Sequence, residues 1–211
     1  MDKTNSVEPD IIVLTGDIGD GDPALYATDF APLRKLRAKF GIFYVTGNHE
    51  YYSDGARWME VMRELGMQVL QNQNQLISIP STASVTIAIA GVLDPAAAMI
   101  NATDGPKPEQ AVKGCEKSDY KILLAHQPGI ADRAEKSGFD LQISGHTHGG
   151  QFFPWNMVVR KVHEYHQGLF KRNEMQIYVS PGTGSWGPPV RLGKRPEISV
   201  LTLIPSDEAV S

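Results

Sequence analysis

The sequence predicts an α/β fold arranged as a layered sandwich. Several runs of the chain are continuously aliphatic, which is typical of strands buried on both faces of a sheet. These runs lie at residues 10–15, 42–45, 122–125 and 141–144. Helix-like segments separate the early strands and short strands cluster later, and this order is typical of layered α/β folds. The length of 211 residues predicts a single domain over 1–211.

The elements follow one another in a simple order. A helix is predicted at about 24–39, with Leu33, Leu36 and Phe40 on one face and Gly41 ending it, and a second at 55–65 ended by Gly66. Short strands separated by Gln, Asn, Ser and Pro are consistent with antiparallel pairs. We expect them at 69–70, 76–79 and 85–90, then a loop with a short helix over 95–118, a helix near 130–137, and strands at 175–180 and 198–204.

Composition excludes several classes of protein. A net charge of -4 disfavours binding of nucleic acid held mainly by charge. The lone Cys115 excludes an internal disulfide and fits a reducing compartment. No apolar stretch reaches the roughly 18 residues of a membrane span, and the first residues lack a signal peptide. The sequence as given therefore predicts a cytoplasmic protein, with a longer, membrane-anchored parent as the alternative.

Polar side chains follow four of the predicted buried strands. Asp17, Asn48 with His49, His126 and His146 each come just after the carboxyl end of a strand, where ligands of α/β sheets gather. We therefore expect four loops to converge. Imidazole, carboxylate and amide oxygen together suit divalent metals of the Zn, Mn, Fe and Co class.

These loops also resemble a known family. Gly16-Asp17, Gly47-Asn48-His49-Glu50, His126 and Gly145-His146-Thr147-His148 are similar, in that order, to the motifs of the calcineurin-like metallophosphoesterases. The stretches 91–95, 145–151 and 182–191 resemble its bacterial phosphodiesterase-like branch, whose members are often membrane-associated. The resemblance implies a four-layer αββα sandwich with a two-metal site.

The resemblance also implies roles for individual residues. Asp17 would bridge two metals, with Asn48, His126 and His146 completing one metal and His148 binding the other. His49 would protonate the leaving oxygen while a metal-activated hydroxide attacks. The implied function is a metal-dependent phosphodiesterase or phosphomonoesterase using Mn, Zn, Fe, Ni or Co and a small phosphoester substrate. The alternative is a catalytically impaired metal-binding scaffold of the same fold.

One family motif is missing. No Asp-x-His sequence occurs in the chain, so we expect an N-terminally incomplete sandwich that lacks its first strand. Asp17 and His148 alone remain for the second metal, which predicts one tight site and a weak or empty second position. An exposed sheet edge favours a homo-oligomer. A truncated chain, or a different pairing of residues 1–9, is the alternative.

Other residues admit two interpretations each. Glu50 either orients a histidine or is a solvated carboxylate or helix-start residue. Arg191 is a candidate phosphate contact or a partner in a structural ion pair. His163 and His166 flank Glu164 in a spacing that suits a small metal site, and equally a polar surface segment, which we favour.

Overall fold

The computed structural model describes residues 1–80, 85–193 and 195–204. Its strands are β1 Ile12–Leu14, β2 Ile42–Tyr44, β3 Gln68–Val69, β4 Gln73–Ile79, β5 Val85–Gly91, β6 Tyr120–Leu124, β7 Leu141–Ser144, β8 Gly168–Arg172 and β9 Met175–Val179. Its α-helices are α1 Asp2–Asn5, α2 Pro23–Tyr26, α3 Asn48–Tyr51, α4 Gly55–Glu64, α5 Pro108–Ala111, α6 Ala131–Lys136 and α7 Trp155–Val162. Short 3-10 helices span Ala27–Lys35, Pro95–Met99, Pro128–Ile130 and His148–Gly150.

The strands form two sheets. The first is parallel, with the order β1-β2-β3, and the second is mixed, with the order β4-β5-β6-β7-β9-β8. The pairing of β4 with β5 is antiparallel, as expected. The antiparallel expectation is wrong for β3, which pairs in parallel with β2 and belongs to the first sheet.

Three apolar cores separate four layers. Successive residues of β2 point to opposite faces, so Phe43 enters the core between the two sheets, whereas Tyr44 packs with Trp58 of α4. On the second sheet, Ile122 faces the core between the sheets and Leu123 packs toward Ala131 and Ala134 of α6. The order helix, sheet, sheet, helix confirms the predicted αββα sandwich. β1 lies at one edge of its sheet.

Two predicted elements differ from the structure. The helix expected at 24–39 is a turn of α-helix followed by a 3-10 segment that contains Pro32 and ends at Lys35, because proline removes a hydrogen-bond donor. Leu36 is already extended, so Gly41 does not end this helix. The strand predicted at 198–204 is absent: those residues are described and lie in neither sheet. Hydrogen bonds of the Tyr178 hydroxyl to Glu197 and Ser199 hold the beginning of this segment instead.

Candidate metal centre

Both sheets supply side chains to one site. Asp17 follows β1 and Asn48 follows β2 of the first sheet, whereas His126 follows β6 and His146 follows β7 of the second. The carboxyl ends of these four strands lie at the same rim of the sandwich. The four loops therefore meet, as the sequence predicts, but they come from two sheets rather than one.

His126 lies at the middle of this group. Its Nε2 atom is 3.0 Å from Asp17 Oδ2, 3.2 Å from Asn48 Oδ1 and 3.1 Å from His146 Nδ1. Its Nδ1 atom is 2.7 Å from the carbonyl oxygen of Thr15, which can only accept, so Nδ1 carries a hydrogen. In the neutral imidazole the lone pair on Nε2 therefore points into the cluster.

The donor atoms in the cluster suit a cation. The Nδ2 group of Asn48 donates to the Tyr52 hydroxyl at 2.9 Å, which turns Oδ1 toward His126. Asp17, His126 and His146 each place one ligand atom within 4.8 Å of the others. Lone pairs that converge in this way repel one another unless a positive charge lies among them. Carboxylate, amide and imidazole ligands are those that transition metals prefer, so the residues fit a divalent metal.

The protonation of these groups follows from burial and charge. Burial opposes ionisation of Asp17, but its hydrogen bonds and its attraction to His126 outweigh burial and lower its pKa. Burial also disfavours charge on His126, yet the Asp17 carboxylate raises the pKa of His126. Burial lowers the pKa of His146 to about 4, with repulsion from His126 adding to the effect. His146 is therefore neutral at pH 7 and ready to act as a ligand.

The backbone of the site is strained. Asp17, His146 and His148 have φ values of 53°, 68° and 50°, in the left-handed region that costs a residue with a side chain about 1–3 kcal/mol. Close approach adds a second constraint at Gly47, where a Cβ atom would collide with the Asp17 side chain and lie 2.6 Å from its backbone nitrogen. Strain of this kind persists only where the surroundings hold it in place.

Glu50 provides much of that restraint. It is fully buried, and its carboxylate accepts hydrogen bonds from the backbone N–H groups of Gly47 at 2.7 Å, Asp17 at 3.1 Å, Ile18 at 2.7 Å and Gly19 at 2.9 Å. Burial raises its pKa, with repulsion from Asp17 adding to the effect. Glu50 is therefore neither solvated nor bonded to a histidine, but the helix-start interpretation is confirmed: it lies in the first turn of α3 and its carboxylate accepts from the N–H of Gly47, which precedes the helix. Its other bonds tie the loop that carries Asp17 to the loop that carries Asn48.

His49 lies at the rim of the cluster. Its backbone N–H donates to Asp17 Oδ1 at 2.9 Å, and its Nδ1 atom is 3.3 Å from Asp20 Oδ1. The imidazole is partly exposed, whereas the Asp20 carboxylate is largely exposed. Sequence reasoning missed Asp20. The only signal for it is the run of three Asp residues between glycines at 17–22, which does not single out one of them.

His148 lies near the cluster but is not among the three residues with metal-binding spacing. Its Nδ1 atom is 3.3 Å from Nη2 of Arg191, and the same guanidinium donates to the carbonyl oxygens of Pro181 at 2.7 Å and Gly184 at 2.6 Å. Arg191 Nη1 is buried and has no hydrogen-bond partner among residues 1–80, 85–193 and 195–204. Burial lowers the pKa of His148 to about 4, and the Arg191 charge adds to the effect. Arg191 thus faces the site, and it makes no ion pair among the residues that the structure describes.

The two histidines near Glu164 pack against different neighbours and do not form a shared ligand group. The ring of His163 packs against His146 at 5.6 Å between centroids, whereas the ring of His166 packs against Phe170. Within 1–80, 85–193 and 195–204, the group of Asp17, His126 and His146 is the one with metal-binding spacing.

A further buried carboxylate adjoins the cluster. Asp94 is almost fully buried and accepts a hydrogen bond from Gln127, the neighbour of His126, at 3.0 Å. The sequence shows Asp94 only as part of a stretch that resembles the family.

Comparisons with known proteins show what the chain as a whole is similar to. The family model described as calcineurin-like phosphoesterase matches residues 1–150. A bovine (Bos taurus) "Transmembrane protein with metallophosphoesterase domain" is 41% identical over 207 residues, which are 94% of this chain and 47% of that protein. The "Uncharacterized metallophosphoesterase YkuE" of Bacillus subtilis is 33% identical over 94% of this chain and 69% of its own length. The chain thus spans about half the length of the bovine relative.

A solved structure shows the same fold. "Termus thermophilus Sulfate thiohydrolase SoxB in complex with glycerol" superposes with a TM-score of 0.54 at 15% identity, over 82% of this chain and 34% of that one. No helix in the described part of the chain has the length and apolar character that crossing a bilayer requires.

Proposed function

Because the chain belongs to the calcineurin-like metallophosphoesterase family, we propose that it hydrolyses phosphoesters with a divalent metal held at the rim of its two sheets. Members of this family use divalent metals. The observation that carries the proposal is the convergence of Asp17, Asn48 and His146 on the Nε2 atom of His126. When bound there, a divalent metal supplies Lewis-acid polarisation of a phosphoryl oxygen and makes a water molecule more acidic.

The ligand set favours one tightly held metal. Asp17, Asn48, His126 and His146 form a compact set, whereas His148 contacts Arg191 and is not part of the group with metal-binding spacing. A second metal would have His148 and one oxygen of Asp17 as its protein ligands. We therefore infer a weak or empty second position within this chain.

His49 is the proposed general acid. Its backbone is fixed by the hydrogen bond to Asp17, and Asp20 lies next to Nδ1, so Nε2 is the atom that transfers a proton. Protonation of the departing oxygen avoids the release of a free alkoxide. Asp20 would hold the ring in orientation.

Arg191 is the proposed contact to the phosphate. Its buried Nη1 atom has no hydrogen-bond partner in the described part of the chain. An anionic phosphoryl oxygen is the kind of acceptor that a buried guanidinium N–H prefers. Its position beside His148 places that charge at the edge of the cluster.

The test compares leaving groups and variants. Phenyl phosphate has a poor leaving group, whereas p-nitrophenyl phosphate has a good one. Both monoesters are assayed with Mn, Co, Ni, Zn and Mg. Bis(p-nitrophenyl) phosphate is assayed in the same way to compare a diester with the monoesters. We expect His49→Ala to slow phenyl phosphate hydrolysis by about 10²–10⁴, and p-nitrophenyl phosphate hydrolysis much less. Asp17→Ala should abolish hydrolysis of both esters and reduce metal content by mass spectrometry.

The matched control is His166→Ala, because that ring packs on Phe170 and not on the cluster. If His49→Ala slows both monoesters equally, His49 is not the general acid. If Asp17→Ala retains activity, the hydrolysis belongs to another site. A wild-type protein that binds metal at this cluster and hydrolyses none of the esters would be the catalytically impaired scaffold.

A further inference from the structure

An exposed apolar surface adjoins the candidate metal centre. We call it the tryptophan surface and define it by Phe153, Trp155, Val158 and Val162 on and before α7, with Trp186 and Leu192 from the loop opposite. Phe153 is 74% exposed, Val162 69% and Leu192 67%. Apolar side chains of this size rarely cluster on the surface of a protein unless something binds there.

The two halves of the surface are held together. The rings of Trp155 and Trp186 stack with 6.0 Å between centroids. The side-chain amide of Gln151 accepts from the backbone N–H of Trp186 and donates to its carbonyl oxygen at 2.7 Å, and the Gln151 carbonyl accepts from the N–H of Leu192 at 3.0 Å. Gln151 is almost fully buried, so the surface is a fixed feature of the fold and not two independent loops.

The two segments that carry this surface are basic, and the exposed Glu164 follows the first of them directly. Residues 152–163 and 182–195 contain no Asp or Glu but five Lys and Arg residues, in a chain whose net charge is -4. Among them Arg160, Lys161 and Arg195 are exposed. Lys161 is exposed on α7 and lies next to Val162 in the chain, so a positive charge accompanies the apolar side chains of this helix.

This combination distinguishes between classes of partner. Lysine is depleted in the cores of protein interfaces. A short helix with Trp, Phe and aliphatic side chains among basic ones is typical of segments that lie in the headgroup region of a bilayer, where aromatic rings and cations are both favoured. We therefore propose that the tryptophan surface binds the surface of a membrane that contains anionic phospholipids.

Both ends of the surface contact histidines of the site. Arg191, next to Leu192, is 3.3 Å from His148, and His163, next to Val162, packs against His146. Docking of the tryptophan surface would therefore bring the metal cluster close to the plane of the phospholipid headgroups.

The test uses vesicles and the protein's own fluorescence. Of the three Trp residues, Trp58 is fully buried, so a blue shift on vesicle binding reports Trp155 and Trp186. We expect cosedimentation and a blue shift with vesicles of 70% phosphatidylcholine and 30% phosphatidylglycerol, and much weaker binding to phosphatidylcholine alone. Binding should weaken in 0.5 M NaCl because salt screens the charges.

Two variants are paired with matched controls. Val162→Asp should lower the vesicle partition coefficient by roughly tenfold or more, whereas Leu25→Asp, which is equally exposed at 69% on α2, should not. Replacement of both Arg160 and Lys161 by Gln should lower it by about thirtyfold. The control replaces the exposed Lys113 and Lys117, outside this surface, by Gln.

The outcomes separate membrane binding from the alternatives. Failure to bind either type of vesicle overturns the proposal, as does binding that Val162→Asp leaves unchanged. A dimer in sedimentation velocity that Val162→Asp dissociates without lipid would identify the surface as a contact between two copies of the chain. Hydrolysis of phenyl phosphate in detergent-free buffer should be the same in Val162→Asp and wild type, so vesicle binding is tested separately from the proposed hydrolysis.

Discussion

Replacement of Glu50 by Gln is the most direct test of how the site is held together. The two carboxylate oxygens divide four backbone donors equally: Oε2 accepts from Asp17 and Gly47, and Oε1 accepts from Ile18 and Gly19. Glutamine keeps one oxygen and replaces the other with an NH2 group. Two N–H groups then lose their acceptor and face another donor.

The expected cost follows from this count. A hydrogen bond to a charged group contributes about 1.5–3 kcal/mol, so the loss of two costs about 3–6 kcal/mol. Removing a buried charge offsets part of this, because burial already disfavours the ionised form and raises the pKa of Glu50. We expect a net loss of about 3 kcal/mol in the free energy of unfolding, a large share of the roughly 5–15 kcal/mol of a typical domain.

The assay is urea unfolding followed by circular dichroism, together with metal titration calorimetry on the variant. Metal affinity should fall as well, because the released N–H groups belong to the loops that carry Asp17 and Asn48. The control is Glu60→Gln on the exposed face of α4, for which we expect a change within about 0.5 kcal/mol. If Glu50→Gln unfolds at the wild-type urea concentration and binds metal normally, the four hydrogen bonds do not hold the site.

Two further predictions use other parts of the structure. Gly91→Ala should lower metal affinity although Gly91 contacts no ligand. A Cβ atom there would lie 2.5 Å from both Val45 and Leu70, next to the first sheet, and would push the two sheets apart. Unaltered metal affinity in calorimetry would contradict this. In a chelator, which keeps the site free of metal, the free energy of unfolding should fall as the pH falls from 6.5 to about 4. Burial lowers the pKa of His146 and His148 from 6.5 to about 4, so over that range the unfolded chain binds more protons than the folded one. Urea midpoints at pH 7, 6, 5 and 4 measure this, and the decline should be shallower in His148→Asn; a flat profile would refute it.

The positions of the site residues could be predicted from the sequence because strands and loops alternate so sharply. A continuous aliphatic run that ends in glycine and a polar residue marks both a buried strand and its carboxyl end. This pattern is sufficient to bring Asp17, Asn48, His126 and His146 to one rim. The pattern does not reveal which sheet each strand joins. Sheet assignment depends on pairing between distant segments. For this reason the sequence predicts an antiparallel pairing for β3, whereas the structure pairs it in parallel with β2.

The errors in secondary structure have local causes. Residues 24–39 have helical spacing of apolar side chains, but Pro32 and the short polar turn before it favour 3-10 geometry. Residues 198–204 are rich in aliphatic and β-branched side chains, as a strand is. A strand also requires a neighbour with free backbone groups, and composition cannot show whether one is present. The helix-start position of Glu50 can be read from the sequence, but its bonds to the backbone N–H groups of Asp17, Ile18 and Gly19 cannot, because contacts between distant loops have no signature there.

The metal centre depends on the packing of the two sheets as much as on its ligands. Asp17 and Asn48 move with the first sheet, whereas His126 and His146 move with the second. The distances of 3.0–3.2 Å among their donor atoms therefore record how closely the sheets approach. The apolar core that sets this approach contains Phe43 and Val45 from one sheet and Ile89, Ile122 and Leu124 from the other, all nearly or fully buried. A close-packed core resists even a single added methyl group, so the same packing that stabilises the fold keeps four ligands within reach of one ion.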